Sequence, residues 1–282
     1  MEPLTFFGLL FGASTIAGAL GALLGLGGGV IIVPVLTLGA GLNIHYAIGA
    51  SIVSVIATSS GAAATYIRDQ ITNLRLGMFL EMATTSGAVV GAVVAGWLPG
   101  RVLSVIFGTL LLYAARTMVR ARWEELPTGV VSSRLAVRLR LPGAYYDPML
   151  KRTVSYQITG VPQGFGMMGL AGLISGLLGI GSGVFKVIAM DVMMRAPLKV
   201  STTTSNFMIG VTAAASASIY FLRGDIHPFI AAPVALGILA GTILGTHLLL
   251  RLRGTAIRRI FVAVLLVVAL QMIWRGMAGT IR

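Results

Sequence analysis

Gly25-Leu26-Gly27-Gly28-Gly29-Val30 returns 154 residues later as Gly179-Ile180-Gly181-Ser182-Gly183-Val184, and eight of the fourteen positions from Ala17 to Val30 match those from Ala171 to Val184. The chain therefore carries an internal repeat centred on a glycine run. Glycine inside an apolar segment costs conformational entropy, so it marks a place where the backbone turns sharply or is closely approached. Two readings compete. Small residues at every third or fourth position could form a helix-packing surface, or the run could break the helix. Near-consecutive glycines flanked by apolar sequence on both sides, in both copies, fit a break better than a seam.

The composition sets the frame: 282 residues, 56% hydrophobic, 10% charged, mean hydropathy +0.93. Several apolar runs reach about 18 residues or more, too many for a soluble core, so the chain reads as a polytopic helical membrane protein. The absence of Cys excludes thiol chemistry and Cys-ligated metal. Met1 to Leu24 has neither a basic leading region nor a clear cleavage site, and residues 4–24 are expected to stay as a membrane helix. The net charge of +13 would suit nucleic acid, but its distribution has another explanation.

The apolar segments are 4–24, 30–42, 46–67, 76–98 and 102–119, then 160–178, 184–194, 200–222, 229–250 and 256–274, five in each half. Segments 30–42 and 184–194 are too short to cross about 30 Å of hydrocarbon at 1.5 Å per residue. If each glycine run breaks one continuous span, the two halves point the same way. If it is the tip of a hairpin, each half crosses an odd number of times and the halves are inverted. Loop charge favours the hairpin. The connector carries Arg116, Arg120, Arg122, Arg134, Arg138, Arg140, Lys151 and Arg152 and is assigned to the cytoplasm. The same side then takes Arg68, Arg75, Arg195, Lys199, Arg251, Arg253, Arg258 and Arg259, which brings it to sixteen of the 21 basic residues. Arg101, Arg223, Arg275 and Arg282 fall outside, and Lys186 is left in the membrane.

The expected fold is thus an all-α integral membrane protein of two inverted repeats, each a Gly-broken helical hairpin plus three transmembrane helices. Residues 1–122 form the first repeat, 123–158 a cytoplasmic connector and 159–282 the second repeat, with both termini on the outer face. The connector includes turn-punctuated Leu139 to Pro148 and alternating Thr153 to Ile158. These suit a small β-hairpin. A basic tether lying on anionic lipid is the alternative.

No phosphate-binding loop, HExxH helix or nucleophile elbow is present, and His45, His227 and His247 are scattered. Enzymatic function, a metal site and a cofactor therefore have no positive support. Gly-interrupted short segments at matching positions are instead the pattern of secondary transporters, whose site lies at the midplane between repeats. Helix N-termini at such breaks suit an anion. The candidate substrate contacts are the backbone at Gly27, Gly28, Gly29, Gly181 and Gly183 and the side chains of Ser51, Ser59, Ser182, Thr203, Thr204, Ser205 and Asn206. Hydroxyl and amide donors of this kind replace the water an oxyanion loses. The first hydroxyls of the 201–206 run could also simply cap a helix.

These residues resemble the sulfite exporter TauE/SafE family of membrane permeases. The likeness rests on Gly25–Gly29 followed by Pro34, on the stretch from Ala47 to Ser60, and on Thr72-Asn73-Leu74-Arg75-Leu76 with Glu81. In the second half it rests on Ser175 to Gly183 with Lys186, and on Thr203-Thr204-Ser205-Asn206. The resemblance implies ATP-independent movement of small sulfur-containing anions, such as sulfite or organosulfonates, across a bacterial inner membrane, with membrane lipid as surroundings and no nucleic acid. Two positions depart from the family pattern: Ser182 stands where a third Gly is usual, and Ile188 where Pro is usual. A passive anion channel would need the same donors; a membrane-embedded scaffold or enzyme is the more distant alternative.

Three ionisable residues lie within the spans: Glu81, Lys186 and Asp191. Charge at that depth is costly and is kept for pairing or proton handling. Glu81 is either a proton-coupling group or the partner of Arg75. Asp191 and Arg195 stand at i and i+4, the spacing of a helical ion pair. That pairing leaves Lys186 for the anion, alongside Ser182 and the 203–206 donors. The competing role for Lys186 is a pair with Glu81 across the fold.

Overall fold

The computed structural model describes residues 3–24, 29–68, 71–120, 129–147, 151–249 and 254–279. Helix α1 spans Pro3–Leu24. A short α2, Gly29–Pro34, continues as a π-helical turn over Val35–Gly39, and α3 (Ile44–Arg68), α4 (Leu74–Trp97) and α5 (Gly100–Arg120) complete the first half. A one-turn helix α6 (Arg134–Arg138) and two strands, β1 (Gly143–Asp147) and β2 (Arg152–Tyr156), form the connector. The second half repeats the order as α7 (Val161–Leu178), α8 (Gly183–Ile188) with a π-helical turn over Ala189–Met193, α9 (Leu198–Leu222), α10 (Pro228–Leu249) and α11 (Gly254–Met277). Elements α2, α3, α4, α5 and the first π turn each begin 154 residues before their counterparts, the offset read from the glycine runs. Helices α4, α7 and α9 are long and apolar enough to cross a membrane.

The halves pack reciprocally. Helix α1 lies along α10 as α4 lies along α7, α3 meets α4's neighbour α9, and α5 lies along α11. The two seams are built the same way. A Cβ at Gly172 of α7 would fall on the carbonyl oxygen of Thr84, and one at Gly18 of α1 on that of Ile238, the equivalent position. Gly87 and Gly241 repeat the relation against the carbonyls of Gly169 and Thr15. Small residues let these backbones touch, as in membrane helix pairs. The repeat thus contains a packing seam as well as a break, on different glycines.

The break itself is clearest in the second half. Helix α7 ends with Gly179 at φ 65°, followed by Gly181 at φ 70° and Ser182 at φ 48°. These are left-handed conformations that stop a helix and that Gly adopts freely. The chain then reverses, and Thr159 N donates to the Met194 carbonyl at 3.1 Å, so the start of α7 and the end of its π turn meet beside the connector. The first-half run at Gly25, Leu26, Gly27 and Gly28 lies outside the described residues.

Strands β1 and β2 pair antiparallel, Gly143 opposite Tyr156 and Asp147 opposite Arg152. Tyr145, Tyr156 and Ile158 are buried in a cluster with Leu76 and Leu80 of α4 and Met190, Met194 and Val200 of the second half. Burial raises the Tyr156 phenol above its ordinary value, with the Asn73 hydrogen bond partly opposing, so the hydroxyl is neutral at physiological pH. Asn73 Nδ2 donates to it at 2.8 Å and to the Leu141 carbonyl at 2.7 Å, while Asn73 Oδ1 caps α4 by accepting from Leu76 N. Lys199 pairs with the buried Asp147 at 2.7 Å. The connector is thus docked on the membrane helices rather than tethered loosely.

Candidate functional site

Gly29, which opens α2, comes close to the second break. Ser51 Oγ donates to the Gly179 carbonyl at 2.8 Å and makes a longer 3.4 Å contact with the Gly29 carbonyl. Its counterpart 154 residues on, Ser205, reaches the Gly183 carbonyl at 3.3 Å. Val30, Ile180, Ser182, Phe185 and Leu265 line a cavity of about 10 Å³ between α2 and the second break, room for at most one water. The Ser182 hydroxyl is buried there without a hydrogen-bond partner among the described residues.

Lys186 stands one turn beyond Ser182 and is 0% exposed. Its ammonium donates to Thr212 Oγ1 of α9 at 2.5 Å, and Thr212 Oγ1 lies 2.6 Å from Glu81 Oε1 of α4. Thr85 Oγ1 donates to the same Glu81 oxygen at 2.9 Å. Glu81 is 5% exposed, and its second oxygen, Oε2, is buried with no partner among the described residues. Since an ammonium has no acceptor, the threonine must accept from Lys186 and donate onward. It has two outlets for its one proton: Glu81 Oε1, or the Met208 carbonyl at 2.8 Å. A buried cation and a buried carboxylate are thereby joined through one hydroxyl, the arrangement that lets both remain charged away from water.

The sequence-predicted residues divide in the fold. Lys186, Ser182, Gly181, Gly183, Gly29, Ser51 and Ser205 gather at or beside the second break. The run 203–206 does not close on Lys186: Thr203 bonds back to the Lys199 carbonyl at 3.0 Å, and Thr204 Oγ1 accepts from Asn73 N at 3.1 Å. Consecutive helical residues point to different faces, so four in a row cannot all serve one site. Asn206 is half-buried on the same turn. Ser59 donates within its own helix to Ile56 and packs on Gly210. Gly27 and Gly28 lie outside the described residues.

Glu81 has partners other than Arg75, and the helical spacing of Asp191 and Arg195 is interrupted. Glu81 turns to Thr212 and Thr85, not to Arg75, whose side chain is exposed at the start of α4. Arg195 does not stand on one continuous α-helix with Asp191. The i,i+4 spacing presumes a continuous α-helix, but residues 189–193 form a π turn and Arg195 sits at φ 56°, outside it. The residue missed in the sequence is Thr212. Its one signal is Thr58, the same residue type at the equivalent position of the first half.

Comparison with known proteins agrees with this architecture. The family model described as sulfite exporter TauE/SafE matches residues 10–272. The chain is 26% identical over 278 residues to the probable membrane transporter protein YunE of Bacillus subtilis (strain 168), covering 96% of this chain and 98% of that protein. A probable membrane transporter protein of Xylella fastidiosa (strain Temecula1) is 26% identical over 273 residues, 96% of each chain. The probable membrane transporter protein YdhB of Bacillus subtilis (strain 168) is 24% identical over 223 residues, 79% of this chain and 82% of that one. No solved structure matches the chain. With a family match running from α1 to α11 and relatives described as probable membrane transporters, the chain belongs to the sulfite exporter TauE/SafE family of membrane transporters.

Proposed function

We propose that the protein is a secondary transporter that exports small sulfur-containing anions, such as sulfite or organosulfonates, across the bacterial inner membrane, holding the anion at Lys186 between two inverted repeats. The observation that carries this reading is the placement of Lys186. It is a fully buried ammonium on the first turn after a helix break, at the junction of the halves, where the equivalent residue of the first half is the buried Ile32. An unpaired ammonium at that depth costs at least about 2.5–3.5 kcal/mol. Its present anchor, a threonine hydroxyl leading to Glu81, is one that an oxyanion can replace. Glu81 is the proton-coupling candidate.

Several features support the inverted arrangement. The first hairpin starts and ends at the end of the molecule opposite the connector: Phe7 of α1 packs edge-on against Phe229 of α10 at 6.2 Å, and His45, after the π turn, reaches the Ala95 carbonyl near the end of α4 at 3.2 Å. The second hairpin starts and ends beside the connector. Exposed Trp97, Phe229 and Trp274 stand at the connector-distal end, as aromatic residues do at a membrane interface. Basic residues concentrate at the connector end, which supports a cytoplasmic assignment of that end. Cysteines introduced as Glu2→Cys and Arg282→Cys should label from outside and Arg138→Cys only from inside; termini labelling from opposite faces would remove the inverted arrangement.

The function is tested with purified protein in proteoliposomes given sulfite, isethionate, taurine and methanesulfonate. An imposed proton or charge gradient should drive at least one of them uphill. Movement only down the anion's own gradient would assign a passive channel instead.

A further inference from the structure

The Lys186–Thr212–Glu81 chain has a consequence for energetics, which rests on the reading of Lys186 as the anion contact. We infer that Glu81 and the transported anion compete for the Lys186–Thr212 pair, so that each monoanion is carried together with one proton in an electroneutral cycle.

Charge balance governs a site as buried as this one. In the structure the ammonium of Lys186 and the carboxylate of Glu81 cancel through the Thr212 hydroxyl. A monoanion arriving at Lys186 would leave the buried cluster with one net negative charge, and a carboxylate beside a second anion is driven to take up a proton. With Glu81 protonated, the loaded site is again neutral. The two half-filled combinations, anion without proton and proton without anion, each leave a net charge in the low-dielectric interior and are disfavoured. Reorientation is therefore confined to the empty and the doubly filled states, and that restriction is what couples the two fluxes.

The local geometry accommodates the exchange. Thr212 can release Glu81 without orphaning its own proton, because the Met208 carbonyl lies 2.8 Å away as a second acceptor. The unpartnered Oε2 of Glu81 is an oxygen that could carry the proton while Oε1 keeps its bond from Thr85.

No other charge competes for the role among the described neighbours. Helix α7, packed along α4, has no ionisable side chain from Val161 to Leu178. On α9, Lys199 is bound to Asp147, Tyr220 donates to the Gly176 carbonyl, and Arg223 is bound to Asp225 and the Ala92 carbonyl. Arg75, on α4 itself, is exposed, and Asp191, on the π turn after α8, is half-buried. From the connector, Tyr145 and Tyr156 pack near Leu76 and Leu80. Lys186 is the charged group that reaches Glu81, through a single hydroxyl.

Export by such a cycle gains nothing from the membrane potential and is opposed by a periplasm more acidic than the cytoplasm, so it runs outward when the anion's inside-to-outside ratio exceeds the proton's outside-to-inside ratio. The test uses methanesulfonate, whose charge is constant with pH, in proteoliposomes of the full chain, with sulfite in parallel. A pH gradient of one unit at zero potential should accumulate methanesulfonate about tenfold on the alkaline side, the ratio for one proton per anion. A valinomycin-set potassium potential at equal pH should accumulate none. Glu81→Gln should lose the pH-driven accumulation yet still exchange external for internal methanesulfonate, since its loaded state is neutral. Accumulation that follows the potential in the wild type, or pH-driven accumulation retained in Glu81→Gln, overturns the inference while leaving anion transport standing. Absence of flux of both anions in the wild type overturns the transport reading and this inference with it. Should Glu81→Gln not insert, the wild-type stoichiometry decides alone.

Discussion

The elements that follow the two glycine runs are equivalent in the fold, yet they differ in charge, with a buried ammonium side chain in one and an aliphatic side chain in the other. Gly29–Pro34 and Gly183–Ile188 have the same length, each is followed by a five-residue π turn, and each has a serine, Ser51 or Ser205, on a break carbonyl. At the third residue after the break the second half has Lys186 and the first has Ile32, both 0% exposed. Glu81 has Ala235 as its counterpart, whereas Thr212 has Thr58, which bonds only back into its own helix. Symmetry is thus kept where backbones touch and abandoned where charge is placed. A repeat fixes a shape that can rock between two faces of a membrane, and in the proposed function the single cation with its carboxylate is what directs the junction to an anion.

The contrast is broken most severely at Lys186. Lys186→Met leaves the Glu81 carboxylate buried without a countercharge, and removal of one partner of a buried pair costs about 3–5 kcal/mol. Thermal unfolding in detergent should register that loss, and the double variant Lys186→Met/Glu81→Gln should recover most of it without recovering flux. The matching change in the other half, Ile32→Met, is a near volume-conserving apolar swap expected to cost less than about 1.5 kcal/mol and to leave flux intact. Equal loss of flux in Ile32→Met and Lys186→Met would show that both breaks matter by packing alone.

Next in size are the seams, where the halves should respond alike. Gly172→Ala and Gly18→Ala each drive a Cβ onto a backbone carbonyl, and both should destabilise by about 1–3 kcal/mol. Sensitivity confined to one of them in an unfolding titration would contradict the reciprocal packing. The smallest effect belongs to Ser182, held at φ 48° with an unpartnered hydroxyl. Ser182→Gly should stabilise the protein by roughly 1 kcal/mol, the strain of a side chain in the left-handed region. A lower melting temperature would mean that the hydroxyl is anchored.

Much of this was legible in the chain because glycine and charge carry their meaning locally. The break at Gly179 to Gly183 is readable since its backbone conformations favour glycine, and Lys186 is readable since an ammonium in an apolar run needs a partner. The connector hairpin followed from the alternation of Thr153 to Ile158. Thr212 was not legible: Thr37, Thr58 and Thr84 also bond to carbonyls three or four residues back, and nothing local separates them from the one whose hydroxyl also faces a neighbouring helix. The dispersal of the run 203–206 was hidden for the complementary reason, since neighbours in sequence point to different faces of a helix. The spacing of Asp191 and Arg195 runs across a π turn, which is invisible to a 3.6-residue count.

The central claim is that the second break binds the transported anion through Lys186. Equilibrium binding of sulfite to the purified protein, wild type against Lys186→Met/Glu81→Gln, isolates that contact from stability and coupling alike. The account predicts saturable binding in the wild type and at least about a hundredfold weaker binding in the double variant, the equivalent of about 2.7 kcal/mol. Wild-type affinity in a folded double variant would contradict it.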